Sequence, residues 1–345
     1  MRRISTACVA EELTHRAPSY LPLLGMNTPV TWHIRRHSHP SRWIFLPFRV
    51  PPNVFEVMIV TAQTPSVRTR LYVKIHETPS DAVREFRNLQ FLWDRFASSS
   101  EFRISEPIDI VDRLNAVVTA GVGGFRISDL IRLSRILPLS EERIRELVRC
   151  VEQAGRWLRF LQSIGTRGSE FLESYEGTSV QLDDLIKEAR IWGFPSDLLP
   201  RVRSRFNRIR QELRESRSVL ITDFTPEHVF LDRHEVSVID FYPLRLGSRA
   251  YDLASFLSYL DLMLMRLNVG RFSDFLRYKF TSAVIGHQDP DINDLMDGYS
   301  VMFMLKKWVE IKGRLRSEHS PNLYALLPFI AKRALKNIRQ LCDSC

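Results

Sequence analysis

The stretch "ITDFTPEHVFLDRHEVSVIDFYP", residues 221–243, contains two short apolar runs, each meeting a single aspartate, Asp223 and Asp240. "HVFLDR" and "EVSVIDF" flank the tight turn "DRHE" at 232–235, a pattern that predicts a β-hairpin. Asp223 precedes its first strand and Asp240 ends its second. A hairpin returns its ends to the same place, so the spacing predicts that the two carboxylates converge. Two carboxylates at one site repel unless a cation or a proton intervenes. A divalent metal is the usual remedy, and hard oxygen ligands suit Mg2+. Turn aspartates that cap exposed backbone have the same spacing, so spacing alone leaves both readings open.

Upstream, three strand-like runs rich in Val, Ile, Phe and Tyr stand at "RWIFLPF" (42–48), "FEVMIVTA" (55–62) and "RLYVKIH" (70–76). "VPPN" (50–53) and "QTPSV" (63–67) separate them, which predicts an antiparallel meander. A helix follows at 81–96 with Ser80 as its N-cap, and Val83, Phe86, Leu89, Leu92 and Phe96 form its apolar stripe. Two short strands are predicted near 106–111 and 115–120, and "GVGG" at 121–124 breaks the chain. Downstream the pattern is mainly helical. The helix over 140–165 starts at Ser140, whose hydroxyl is placed to accept from a free backbone N–H, and Glu141 and Glu142 complement its dipole. The helix over 199–218 places Leu199, Val202, Phe206, Ile209 and Leu213 on one stripe and carries seven arginines. Another helix begins at "AYDLASFLSYLDLMLMRL". This order predicts an α+β fold of two lobes: an extension over 1–40, a sheet-and-helix lobe over 41–120, and a helical lobe over 121–345 that contains the hairpin.

Composition narrows the function classes. The 345 residues are 44% hydrophobic, enough for a sizeable core, and carry a net charge of +9. Such an excess suits an anionic partner or marks a basic solvated surface. No aromatic–basic interleaving or finger spacing accompanies the arginine helix, which argues against nucleic acid. Cysteines stand at 8, 150, 342 and 345. Cys342 and Cys345 form one C-x-x-C without the second pair or spaced histidines of a zinc site, and sparse cysteine use fits a reducing compartment. The N-terminus lacks the apolar core of a signal peptide. The most apolar stretch, 253–265, is interrupted by Asp261 and falls short of the roughly 20 residues a bilayer needs. The expectation is a cytoplasmic protein with no membrane span.

The block "VLITDFTPEHVFLDRHEVSVIDFYPLRLGSRAYDLASFL" resembles the catalytic core of the aminoglycoside phosphotransferase and choline kinase family, which has the protein-kinase-like fold. The resemblance is carried by Ile221-Thr222-Asp223, His228, Ile239-Asp240, Gly247 and Tyr251-Asp252-Leu253-Ala254, and in order it covers about residues 40–260. It implies a small antiparallel-sheet N-lobe and a larger helical C-lobe. It assigns Asp223 to orienting or accepting the substrate hydroxyl proton, Asp240 to Mg2+ bridging the ATP phosphates, and Asp252 to bracing the catalytic loop. Lys74 falls at the phosphate-pairing lysine, Glu85 at its carboxylate partner, and "VVTAGVGG" at the crossing that bonds adenine through its backbone, here Thr119, Ala120 and Val122. The sequence departs from the family pattern in three places. Ile221 and Thr222 replace the motif histidine and glycine, and His228 replaces the metal-binding asparagine. An imidazole is a poorer partner for Mg2+ than an oxygen and favours Mn2+. The glycine-free "RVPPNV" stands where a phosphate-covering loop uses backbone N–H groups. The implied activity is ATP-dependent phosphorylation of a hydroxyl on a sugar, amino alcohol or related small molecule. The alternative is a pseudokinase serving as a nucleotide- or protein-binding module.

Overall fold

The computed structural model describes residues 4–26, 30–36, 54–64, 67–136, 140–175, 178–194, 197, 199–212, 217–233, 235–242, 244–264, 270–286, 290–318 and 321–343. The expected strand at 42–48, the turn at 50–53 and Cys345 lie outside the described residues. The fold is α+β, as the order of sequence patterns predicts, and the chain divides into two compact units. One is Met1–Gly123 with Ser237–Tyr242; the other is Gly124–Val236 with Pro243–Cys345.

The first unit contains helix α1 (Thr6–Tyr20), strands β1 (Thr31–Arg36), β2 (Val54–Gln63) and β3 (Arg68–His76), and helix α2 (Pro79–Phe96). Strands β4 (Phe102–Ile104), β5 (Pro107–Val111) and β6 (Ala116–Ala120) follow. Five of the strands form a sheet in the order β1-β2-β3-β6-β5, with neighbours antiparallel. Side chains alternate across it. Met58, Val60, Leu71, Val73, Ile75, Ala116 and Val118 face a core that also takes in Val9 and Leu13 of α1. Within residues 1–40, read from sequence as an extension, Thr6–Tyr20 and Thr31–Arg36 therefore supply a helix and an edge strand to this unit. Ser5 caps α1, accepting from Cys8 N at 3.1 Å, and Arg16 ties the helix to Asp109 at 3.1 Å and to Ile110 O at 2.8 Å.

Two details of α2 correct the sequence reading. Its N-cap is Thr78, whose hydroxyl accepts from Asp81 N at 3.2 Å, and not Ser80. Pro79 then takes the first helical position, where a missing N–H costs nothing. The buried stripe is also rotated: it holds Ala82, Glu85, Asn88, Leu89, Phe91, Leu92 and Phe96, while Val83 is 52% exposed. A glutamate and an asparagine thus share the buried face with the apolar residues.

The second unit opens with strand β7 (Phe125–Arg126) and helices α3 (Ile127–Ile136), α4 (Glu141–Ser163), α5 (Thr178–Ile191) and α6 (Leu199–Glu212). Next come strands β8 (Arg217–Leu220), β9 (Val229–Asp232), β10 (Glu235–Val238) and β11 (Arg245–Ser248). Helices α7 (Arg249–Leu264), α8 (Gly270–Ile285), α9 (Pro290–Glu318) and α10 (Pro321–Asp343) complete it. Ser140 caps α4 as expected. Leu199, Val202 and Phe206 of α6 are fully buried, and Phe206 packs edge-on to Tyr299 at 5.1 Å. The predicted helix over 199–218 gives way to β8 at Arg217, which pairs with β11. From Ala250 to Leu264, α7 is buried along its length, as expected for a mainly apolar helix packed on all faces. The hairpin forms from β9 and β10, neighbours in one sheet. Within β10 the chain passes, at Ser237, into the segment Ser237–Tyr242, which belongs to the first unit. Among the described residues, no helix is long and apolar enough to cross a membrane.

Candidate active site

Strand alternation places Lys74. Val73 and Ile75 point into the core, so the side chain between them is turned to the opposite face. There Nζ lies 2.9 Å from Glu85 Oε1 on α2 and 2.6 Å from Asp240 Oδ1. Burial alone would pull the ammonium's pKa down. The two carboxylates outweigh that effect and hold it above its ordinary value, so the charge is secure. Tyr72, two residues earlier, stands on the same face as Lys74 and opposite Thr119. The periodicity that places Lys74 also places this aromatic ring.

Asp240 is held by contacts that the sequence pattern does not single out. Asn88, on the buried face of α2, donates to Phe241 O and Tyr242 O, both at 3.0 Å. Tyr242 donates its hydroxyl to Asp81 Oδ1 at 2.7 Å. Asp240 itself has φ 71°, the left-handed region that a short polar side chain tolerates better than most. At the expected adenine contact, Ala120 N donates to Glu106 O at 2.9 Å and Gly121 N to Arg70 O at 2.7 Å. Those two donors are committed within the unit. A Cβ on Gly121 would meet Arg70 O at 2.8 Å, which explains the glycine.

In the second unit, Asp223 follows Ile221 and Thr222 on a tightly braced turn. Asp252, fully buried at the start of α7, accepts from Ile221 N and Thr222 N, both at 2.9 Å. Burial pushes its carboxyl up to about 7, against the pull of the two backbone N–H groups. Thr222 has φ 60°, an unusual conformation for a β-branched residue. Ile221 is fully buried and serves as an apolar anchor. Phe224 stacks on Trp157 and Phe256 at 5.7 and 5.2 Å and fixes the other side of Asp223.

His228 turns back on this loop. Its Nδ1 lies 2.9 Å from the Asp223 carbonyl oxygen and 4.0 Å from Asp223 Oδ2. A carbonyl accepts only, so Nδ1 is the donor in the 2.9 Å contact. The neighbouring Glu227 is buried and paired with Arg132, which also bonds Asp129 at 2.9 Å. Burial raises the Glu227 carboxyl despite Arg132. The structure thus groups Lys74, Glu85 and Asp240 in the first unit, with Thr119, Ala120 and Val122 at its last strand and just beyond, and groups Asp223 and His228 in the second.

The fold is shared with solved structures of low sequence identity. The streptomycin–ATP complex of APH(2")-IIa matches with a TM-score of 0.56 at 14% identity, over 99% of each chain. A GDP complex of an aminoglycoside 2'-phosphotransferase-IIIa variant matches with 0.60 at 12%, over 95% of this chain and 99% of that one. A choline/ethanolamine kinase family protein from Mesorhizobium loti matches with 0.58 at 12%, over 97% and 99%. No functionally curated protein matches the sequence. The model of the phosphotransferase enzyme family matches residues 58–275, a span that runs from β2 into α8 and includes Lys74, Glu85, Asp223, His228, Asp240 and Asp252, and the chain belongs to that family.

Proposed function

We propose that the protein is an ATP-dependent phosphotransferase that phosphorylates a hydroxyl of a small molecule such as a sugar or amino alcohol. The observation that carries this reading is Lys74 held between Glu85 and Asp240 at 2.9 and 2.6 Å. A lysine kept charged, fixed in place and turned to the non-core face of the sheet is suited to phosphate oxygens. Tyr72 on the same face offers a ring for a base to stack on. Asp240 in the first unit has the hard carboxylate that suits a divalent cation, and His228 in the second is the residue that stands where the resemblance has its other metal ligand. A divalent cation held by Asp240 would neutralise charge that builds up on the transferred phosphoryl group.

The chain's own residues have the remaining roles. Lys74 binds the α- and β-phosphates, and Glu85 orients it. Val122 is the adenine contact left at the end of the sheet once Ala120 N and Gly121 N are committed. Asp223, its carboxylate 42% exposed, accepts the proton of the acceptor hydroxyl. The hydroxyl oxygen then forms its bond to the γ-phosphorus as the bridging bond to ADP breaks. Asp252 braces the loop that presents Asp223. The net charge of +9 disfavours a polycationic acceptor, since like charges repel at long range. The reading places the protein in the cytoplasm, where ATP is supplied.

The test is transfer of labelled γ-phosphate to a panel of sugars and amino alcohols by the full chain, with Asp223→Asn as control. Transfer by the wild type and its loss in Asp223→Asn are expected. Equal transfer by both would reject Asp223 as the base. His228→Asn should move the metal preference from Mn2+ towards Mg2+, and an unchanged preference would exclude His228 as a ligand.

A further inference from the structure

His76 follows Lys74 by two positions on β3, and strand alternation therefore puts both on one face. It is 0% exposed, and its backbone N–H donates to Asn115 O at 2.8 Å. The imidazole sits beside Tyr242, with ring centroids 5.6 Å apart, and its Nε2 lies 2.7 Å from Glu85 Oε2. That contact is short in distance but off the straight donor direction, so neither atom makes a well-aligned hydrogen bond. A carboxylate oxygen at this distance selects the tautomer with the proton on Nε2. Glu85 therefore meets Lys74 through Oε1 at 2.9 Å and His76 through Oε2.

We propose that His76 is a positioning residue for Lys74, acting through Glu85. The inference rests on the phosphotransferase reading of this site. A carboxylate met at one oxygen still turns about its last torsion; one met at both is fixed. An apolar residue at 76 would take away the imidazole nitrogen that lies 2.7 Å from Glu85 Oε2, and that buried oxygen, already without a well-aligned hydrogen bond, would gain by rotation of the carboxylate. Rotation would take Oε1 away from Lys74 and leave the lysine paired with Asp240 alone at 2.6 Å. Lys74 and Asp240 would then neutralise each other, although nucleotide binding needs the first for phosphate and the second for metal. Nothing in a purely apolar core requires a fully buried histidine here, whereas the Glu85 contact gives the imidazole a use.

Calorimetry of MgATP binding to the full chain tests this, using the wild type, His76→Phe and His76→Gln. His76→Phe should weaken binding about tenfold, which is about 1.4 kcal/mol, while the folded circular-dichroism spectrum is kept. His76→Gln, whose amide N–H reaches the place of Nε2–H, should recover most of the loss. On a Glu85→Gln background, His76→Phe should add little further loss, because the two residues act in series. If His76→Phe does not fold, His76→Leu takes its place with the same outcomes. Equal MgATP affinity for the wild type and the apolar variant, or additive losses with Glu85→Gln, would overturn the role of His76. A wild-type chain that binds no MgATP would overturn the phosphotransferase reading itself, and this inference with it.

Discussion

Gly124→Ala is the substitution whose cost the structure defines most sharply. Gly124 has φ +85°, and a Cβ built there would lie 2.0 Å from Leu231 O, 2.4 Å from Leu231 C and 2.8 Å from Asp232 N. All three obstacles are backbone atoms of β9, so no side chain can rotate out of the way. The left-handed backbone alone costs an alanine about 1–2 kcal/mol. Forcing β9 to make room adds a further overpacking cost of about 1–3 kcal/mol. Together these predict a loss of about 2–5 kcal/mol. The displaced strand begins at Val229 and pairs with β7 through Phe125↔Leu231 and Arg126↔Phe230. His228 immediately precedes it, so metal preference should change along with stability. Gly165→Ala is the matched control: nothing lies within 4 Å of its Cβ and its φ is outside the left-handed region. That change should be neutral or stabilising by up to about 1 kcal/mol. Urea unfolding of both variants measures the contrast. A Gly124→Ala protein within about 0.5 kcal/mol of wild type, the range of ordinary surface changes, would show that β7 and β9 do not approach as described.

Two further predictions concern the loop that carries Asp223. Thr222→Gly should stabilise the protein by about 1 kcal/mol, because glycine adopts φ 60° without the strain a β-branched residue stores there; a loss on urea unfolding would mean that the threonine side chain contributes more than its backbone costs. Asp252 titrates from an ordinary 3.8 up to about 7 on burial. A folded state that holds the proton more tightly gains stability that is full below about pH 4 and lost as pH rises through about 7. Asp252→Asn should remove that part of the slope between acid and neutral urea midpoints, and an unchanged slope would place the titration elsewhere.

The sequence made some of this legible because the relevant forces are local. Lys74 is set by alternation within one strand, Ser140 by a serine before a charged first turn, and the hairpin by two apolar runs around a polar turn. The features it hid depend on distant partners. On α1, Val9 and Leu13 reach the core while polar residues surround them, so no broad stripe marks the helix. Strand β1 reads "TWHIRR" and gains its identity only by pairing with β2, with Thr31 opposite Gln63 and Arg36 opposite Met58. The cap moved from Ser80 to Thr78 because Pro79 claims the first helical position. Glu85 and Asn88 break the apolar face of α2, and that local misfit was a usable signal for function. His76 and Tyr242 gave no such signal, since each matters only through a residue far away in the chain.

The central claim is that Lys74 and Asp240 serve a metal–nucleotide complex. It is tested most directly by calorimetry of ATP binding to the wild type and to Asp240→Ala, each in Mg2+ and in EDTA. The account predicts that the wild type binds ATP more tightly in Mg2+, and that Asp240→Ala loses this metal-dependent increment. Equal wild-type affinity in Mg2+ and EDTA, or an increment that survives in Asp240→Ala, would contradict it.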